Sequence, residues 1–170
     1  MNPVEMLDAA LAVAAEALQL GELPIAAVVF AGDELIAKAY TQERALNRRL
    51  VHAELLALTD ADHQLRWQKR DKLLRMATTL EPCLMCLGAA ATLGVSAIYY
   101  GLESPGDGAA GIAATWQPAT ADLPGYKMPV MAGGINRAKC RELFQRFCET
   151  APDNGIRRWA QTLAGPAAAS

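Results

Sequence analysis

Four side chains in this sequence have the types and spacing to build a reactive metal centre: His52, Glu54, Cys83 and Cys86. Two cysteines three positions apart project the same way when they lie in the first turn of a helix, so both thiolates reach one ion. One imidazole from elsewhere in the chain makes a third ligand. Three protein ligands leave the fourth tetrahedral position to water, the arrangement of a catalytic rather than a structural zinc site. His52, Cys83 and Cys86 are therefore the expected ligands of a Zn²⁺ ion. Pro82 suits the start of the helix, whose N-terminus favours negative charge and lowers the pKa of thiolates placed there. Glu54 is not needed as a ligand, and a carboxylate beside activated water is placed to move protons as general acid and base.

Each motif taken alone has a plainer reading. A single Cys-x-x-Cys can be a redox pair, or half of a structural zinc site whose other half is missing. His52-Ala53-Glu54 followed by Pro82-Cys83-Leu84-Met85-Cys86, in this order, is what carries the catalytic reading.

The elements that must position these residues follow from hydrophobic periodicity. Asn2 and Pro3 read as the cap and first residue of a helix whose apolar face is Val4, Leu7, Leu11, Ala14, Ala15 and Leu18, ended by Gly21. Pro24 to Phe30 is a nearly continuous apolar run that suits a strand buried on both faces. After a turn at Ala31-Gly32-Asp33, residues Leu35 to Tyr40 return as the second strand of a hairpin. Residues 41–50 read as a loop leading to His52, and a loop touching a metal ligand is also where substrate contacts tend to sit. From His52 the pattern is helical, with His52 and Glu54 in the first turn. Residues 62–72 read as a polar connection with a half-buried Trp67 among Arg66, Lys69 and Arg70. Met76 to Thr79 is a strand, Leu84 to Leu93 an Ala-rich helix stopped by Gly94, and Val95 to Tyr100 another strand.

Gly and Pro punctuate residues 101–127 so densely that a long loop is expected, with Trp116 and Tyr126 either over the pocket or simply anchoring it. Met128 to Met131 reads as a short strand. Helices are expected from about Asn136 to Pro152 and from Asp153 to Leu163, with a frayed tail over 165–170. Buried strands alternating with helices argue for an α/β domain with parallel neighbours and helices on both faces, and for a single domain over 1–164. Both motifs then sit at helix N-termini that follow strands or loops, where open α/β sheets bind ligands.

Composition narrows the function classes. Hydrophobic residues make up 52% of the 170 and charged residues 20%, too apolar a balance for disorder. A formal net charge of −2 gives no general pull toward nucleic acid, so small or locally gripped substrates are expected. Two of the four cysteines belong to the metal, and Cys140 and Cys148, eight apart on one helix, are about 12 Å apart along its axis, too far to bridge. No basic n-region precedes the first apolar stretch and no window suggests a membrane span, so neither a signal peptide nor a membrane segment is expected and a cytoplasmic location is.

On these motifs the chain resembles the cytidine and deoxycytidylate deaminase superfamily, closest to the branch of tRNA adenosine deaminases, guanine deaminases and related nucleoside deaminases. The resemblance is carried by Pro24 to Phe30, His52-Ala53-Glu54, Thr79 to Cys86 and Gly108-Ala109-Ala110-Gly111, and spans about residues 3–150. It implies a three-layer α/β/α sandwich around a five-stranded mixed sheet, and zinc-activated water whose proton Glu54 passes to the amino group that leaves as ammonia. It further implies Glu81 and Pro82 near the base, and a homodimer. Two positions depart from the purine-acting relatives. Thr41 stands where an asparagine contacts the base, leaving Asn47 as the nearby asparagine, and Arg48-Arg49-Leu50-Val51 replaces the usual Asp-Pro-Thr-Ala. Thr41, Asn47, Glu81 and Pro82 are thus the candidate substrate contacts.

Three functions are compatible with these residues. A hydrolytic deaminase of a small nucleobase, nucleoside or related amino-heterocycle needs the full ligand set and Glu54. Editing of adenosine in tRNA uses the same centre, but an RNA partner is disfavoured by the lack of clustered basic residues. A non-catalytic, zinc-stabilised binding module has no use for Glu54.

Overall fold

The computed structural model describes residues 1–68, 71–119 and 127–165. Twelve elements follow one another along these residues: α1 (Pro3–Gln19), β1 (Ala26–Ala31), β2 (Glu34–Tyr40), α2 (Glu43–Leu46), α3 (Ala53–Leu65), β3 (Leu74–Leu80), α4 (Leu84–Leu93), β4 (Val95–Leu102), α5 (Ala110–Thr115), β5 (Val130–Ala132), α6 (Arg137–Thr150) and α7 (Gly155–Ala164).

The strands form one five-stranded sheet in the order β2-β1-β3-β4-β5. β1 is antiparallel to both β2 and β3, whereas β3, β4 and β5 run parallel, so the sheet is mixed. All six residues of β1 are buried, as its continuous apolar run requires of a central strand. Helices α1 and α6 pack together and against the sheet, α3 packs on β1 and β2, and α4 lies beside α3 and against β4. This is a three-layer α/β/α arrangement, and one apolar core runs through it from Met6 to Ala164.

The register brings the site residues to one end of the sheet. Ala26 pairs with Tyr40 and Ala27 with Thr78, so the start of β1 lies beside the ends of β2 and β3, while Leu80 pairs with Leu102 at the end of β4. The Thr79 hydroxyl clamps this edge: it donates to Pro24 O at 2.9 Å and accepts from Ala26 N at 3.1 Å.

Several local expectations are corrected. The buried face of α1 is Met6, Leu7, Ala10, Val13, Ala14 and Ala17, and Val4 is 49% exposed. Periodicity chose the neighbouring stripe because apolar residues populate both faces of this helix and hardly distinguish them. Residues 41–50 contain the short helix α2 rather than loop alone, and α3 continues to Leu65, into the expected polar connection. Trp67 is fully exposed, not half-buried. The punctuated region after Gly101 includes α5, while Tyr126, Lys69, Arg70 and the tail beyond Gly165 lie outside the described residues. α4 matches the expected span, with Cys83 as its N-cap, and Gly94 ends it with φ +79°, a left-handed conformation that favours glycine.

Candidate metal centre and active site

Two helix starts meet at this end of the sheet. His52 is the N-cap of α3 and Cys83 the N-cap of α4, and Cys86 follows one turn later on the buried side of α4. Nδ1 of His52 lies 3.6 Å from Cys83 Sγ and 3.8 Å from Cys86 Sγ, and the two sulfurs are 3.6 Å apart. Tetrahedral zinc with Zn–S near 2.3 Å and Zn–N near 2.0 Å places its ligands about 3.6 to 3.8 Å from one another. The triangle therefore fits the ion without rearrangement, and its soft S₂N donor set suits zinc. Among the described residues these three make the group able to hold a metal ion.

The electrostatics of the triangle follow from the same contacts. A hydrogen bond with Cys83 pushes His52 up to about 9 against the cost of its burial. Cys83 is held down to about 4, first by its hydrogen bond with Cys86 and then by His52. Cys86 is raised by that shared hydrogen bond and by burial.

Glu54 belongs to the first turn of α3 and is only 4% exposed, with Oε2 3.8 Å from Cys86 Sγ. Burial pushes its carboxyl up to about 7, where a group both takes and returns protons near neutral pH. It stands beside the ligand triangle without being part of it.

A cavity of about 390 Å³ opens onto this centre. His52, Glu54 and Cys83 line one side; Thr41 and Glu81 also line it, while Asn47 and Pro82 do not. Asn47 instead closes α2 in a left-handed conformation with φ +50° and is exposed. The Pro82 carbonyl accepts from Ala109 N at 3.0 Å, tying the segment after β4 to the start of α4. Glu81 is similarly occupied: its carboxylate accepts from Ser104 N at 3.0 Å and Ala110 N at 2.8 Å. Gly108 makes this possible, because a Cβ there would lie 2.4 Å from Glu81 Oε2. The Thr41 hydroxyl is 1% exposed as a residue and reaches Glu43 Oε2 at 3.2 Å.

Sequence reasoning missed Glu43, Asp107, Ile156 and Trp159, all of which line the cavity. Glu43 had only its place beside Thr41 to mark it. The last two come from α7, far along the chain from both motifs, and no local signal links them to the site. Trp116 ends α5 and does not line the cavity.

Comparison with known proteins agrees with this geometry. Residues 2–102 match the model of the cytidine and deoxycytidylate deaminase zinc-binding region, and the chain belongs to that family. It is a zinc-dependent hydrolase of the deaminase class. The tRNA-specific adenosine deaminase of Streptococcus pyogenes serotype M1 is 29% identical over 142 residues, which cover 83% of this chain and 80% of that one. A structure solved in work on A-to-I editing by tRNA:A34 deaminases at the wobble position superposes with a TM-score of 0.68 at 27% identity, covering 82% of this chain and 98% of the other. The guanine deaminase of Nitrosomonas europaea shares the fold at 21% identity with a TM-score of 0.64, over 86% of this chain and 85% of that one.

Proposed function

We propose that this chain deaminates a small nucleobase, nucleoside or related amino-heterocycle, with His52, Cys83 and Cys86 holding zinc and Glu54 as the proton carrier. The observation that carries the proposal is the buried Glu54 carboxyl facing the cavity beside a complete three-ligand set. Zinc bound there supplies Lewis acidity that makes water nucleophilic near neutral pH. Glu54 accepts a proton from the attacking water as its oxygen bonds to the carbon bearing the exocyclic amine. It then delivers a proton to the amine nitrogen, the C–N bond breaks, and ammonia leaves. Thr41 and Glu81 are the proposed wall residues nearest this chemistry, with Glu81 acting chiefly by holding residues 104–110.

The tRNA-acting relatives favour a second reading, editing of adenosine in RNA. Among the described residues the cavity lining contains no Lys or Arg, which supports the small substrate instead. Ammonia release across guanine, guanosine, adenosine, cytosine and cytidine tests the proposal. Silence on that panel together with inosine formation in a tRNA anticodon stem-loop would replace it with the RNA reading.

The proposal extends to one catalytic domain over residues 1–164, supported by the continuous core from Met6 to Ala164. It also includes a homodimer. α4 carries no charged residue yet exposes Leu84, Gly88 and Thr92, a face suited to a second copy. Sedimentation of wild type against Leu84→Glu checks this. A cytoplasmic location accords with the four free cysteines, and no helix among the described residues is long and apolar enough to cross a membrane.

A further inference from the structure

The wall of the cavity away from the metal ligands is apolar and is supplied partly by the last helix. Ile156 and Trp159 of α7 line it together with Leu23 and Ile25, which precede β1. α7 is fastened at both ends: the Asn154 side chain accepts from Ile156 N at 3.0 Å and Arg157 N at 3.1 Å, and Gln145 Nε2 donates to Ala164 O at 3.0 Å. Ala160, Leu163 and Ala164 are buried in the core. The Trp159 ring stands edge-on to Phe144, with centroids 6.3 Å apart and planes at 73°. Phe144 is fully buried and does not line the cavity, so it holds the indole from behind. An indole fixed in this way meets a ligand with little ordering left to do.

The charged lining has one sign. Among the described residues, its ionisable side chains apart from the metal-ligand candidates His52 and Cys83 are the carboxylates of Glu43, Glu54, Glu81 and Asp107. Glu54 and Glu81 are buried, whereas Asp107 is exposed and Glu43 partly so. Asp107 accepts from the Ser104 hydroxyl at 2.6 Å, which holds it on the loop after β4. A phosphate entering here meets two rim carboxylates and, among the described residues, no lining Lys or Arg to offset them.

We infer that α7 caps the cavity and selects a planar, phosphate-free heterocycle, with Trp159 contacting the ring and Glu43 and Asp107 turning phosphates away. This inference rests on the deaminase reading above and narrows its substrate class to free bases and unphosphorylated nucleosides.

The test uses the zinc-loaded full chain and whichever base or nucleoside of the panel releases ammonia. Trp159→Ala raises KM about tenfold or more while kcat changes far less, the pattern of lost ring binding. Trp159→Phe recovers most of that loss, and Trp116→Ala, which removes an indole outside the cavity lining and is checked for folding by its melting curve, leaves KM near wild type. The 5′-monophosphate of the accepted nucleoside is turned over at least about 100-fold less efficiently, and Asp107→Asn narrows that gap. An unchanged KM in Trp159→Ala, an equal rise in Trp116→Ala, or a monophosphate accepted as well as its nucleoside overturns the inference and leaves the deaminase reading intact. Wild-type silence on the whole panel, with inosine formed in a tRNA anticodon stem-loop, overturns the small-substrate deaminase reading instead. The cap is then judged by binding, using zinc-loaded Glu54→Gln with Trp67 and Trp116 replaced by Phe. A bound base that quenches Trp159 fluorescence supports the cap, and a base shown bound by dialysis with the fluorescence unaltered overturns it.

Discussion

Glu43 Oε1 lies 3.7 Å from Nε2 of His52, on the opposite side of the imidazole from the Nδ1 that faces Cys83 and Cys86. A carboxylate there fixes the ring orientation and favours the tautomer whose Nδ1 lone pair points at the metal. The Thr41 hydroxyl in turn reaches the other oxygen of Glu43 at 3.2 Å. Thr41, Glu43 and His52 thus form a chain of contacts leading to the metal ligand.

Glu43→Ala is expected to lower zinc affinity by about 10- to 100-fold, the usual cost of losing a group that orients a ligand. Competition with a calibrated chelator measures it. An affinity equal to wild type would show that the ring is oriented by packing alone.

Glu54→Gln keeps the size and most of the burial of the side chain and removes its proton chemistry. Zinc content and melting temperature should stay close to wild type, while kcat falls by about 100- to 10,000-fold, the typical contribution of a general acid and base. Wild-type turnover in this variant would falsify the role assigned to Glu54.

Glu81 is predicted to act through the loop it holds. Glu81→Ala leaves Ser104 N and Ala110 N without their acceptor, at about 1–3 kcal/mol for each group that stays buried. The melting temperature should drop by several degrees, on a scale of about 2–4 °C per kcal/mol for a chain of this size. Gly108→Ala should do similar damage, because its Cβ would collide with the same carboxylate. Thermal melts of both variants decide the point, and unshifted melting temperatures would mean that the loop holds itself.

Cys140 supplies a pH dependence remote from the metal. Its thiol is fully buried beneath Gly101, and burial pushes it from 9.0 up to about 12. Because the unfolded chain gives up this proton first, the folded state binds more protons above the unfolded pKa, and stability falls as pH rises. The contribution is fully present below about pH 9 and is lost progressively toward pH 12. Melting temperatures from neutral to alkaline pH should therefore decline more steeply for wild type than for Cys140→Ala. Parallel curves would show that the thiol is reached by water.

Much of the centre could be read from the chain because its parts are local. The Cys83–Cys86 spacing is one helical turn, so it places both sulfurs on one side wherever that helix lies. Leu84 to Leu93 with Gly94 behind it marks its own boundaries, and the helix found matches that span. The apolar run of β1 announces a strand buried on both faces without reference to its neighbours. Ala-rich α1 was harder: apolar residues populate both candidate stripes, and only packing against the sheet and α6 selects Met6 and Val13 over Val4.

The sequence by itself therefore determined the candidate ligand set, the carboxylate beside it and the alternation of strands and helices, since each depends on residue chemistry or on repeats a few positions long. Only the tertiary structure decided that Glu43 stands behind His52, that Asn47 lies outside the cavity lining, and that Trp159 is part of it. Those relationships depend on the register of antiparallel and parallel strand pairs and on where α7 docks, and such long-range contacts leave no periodic trace along the chain.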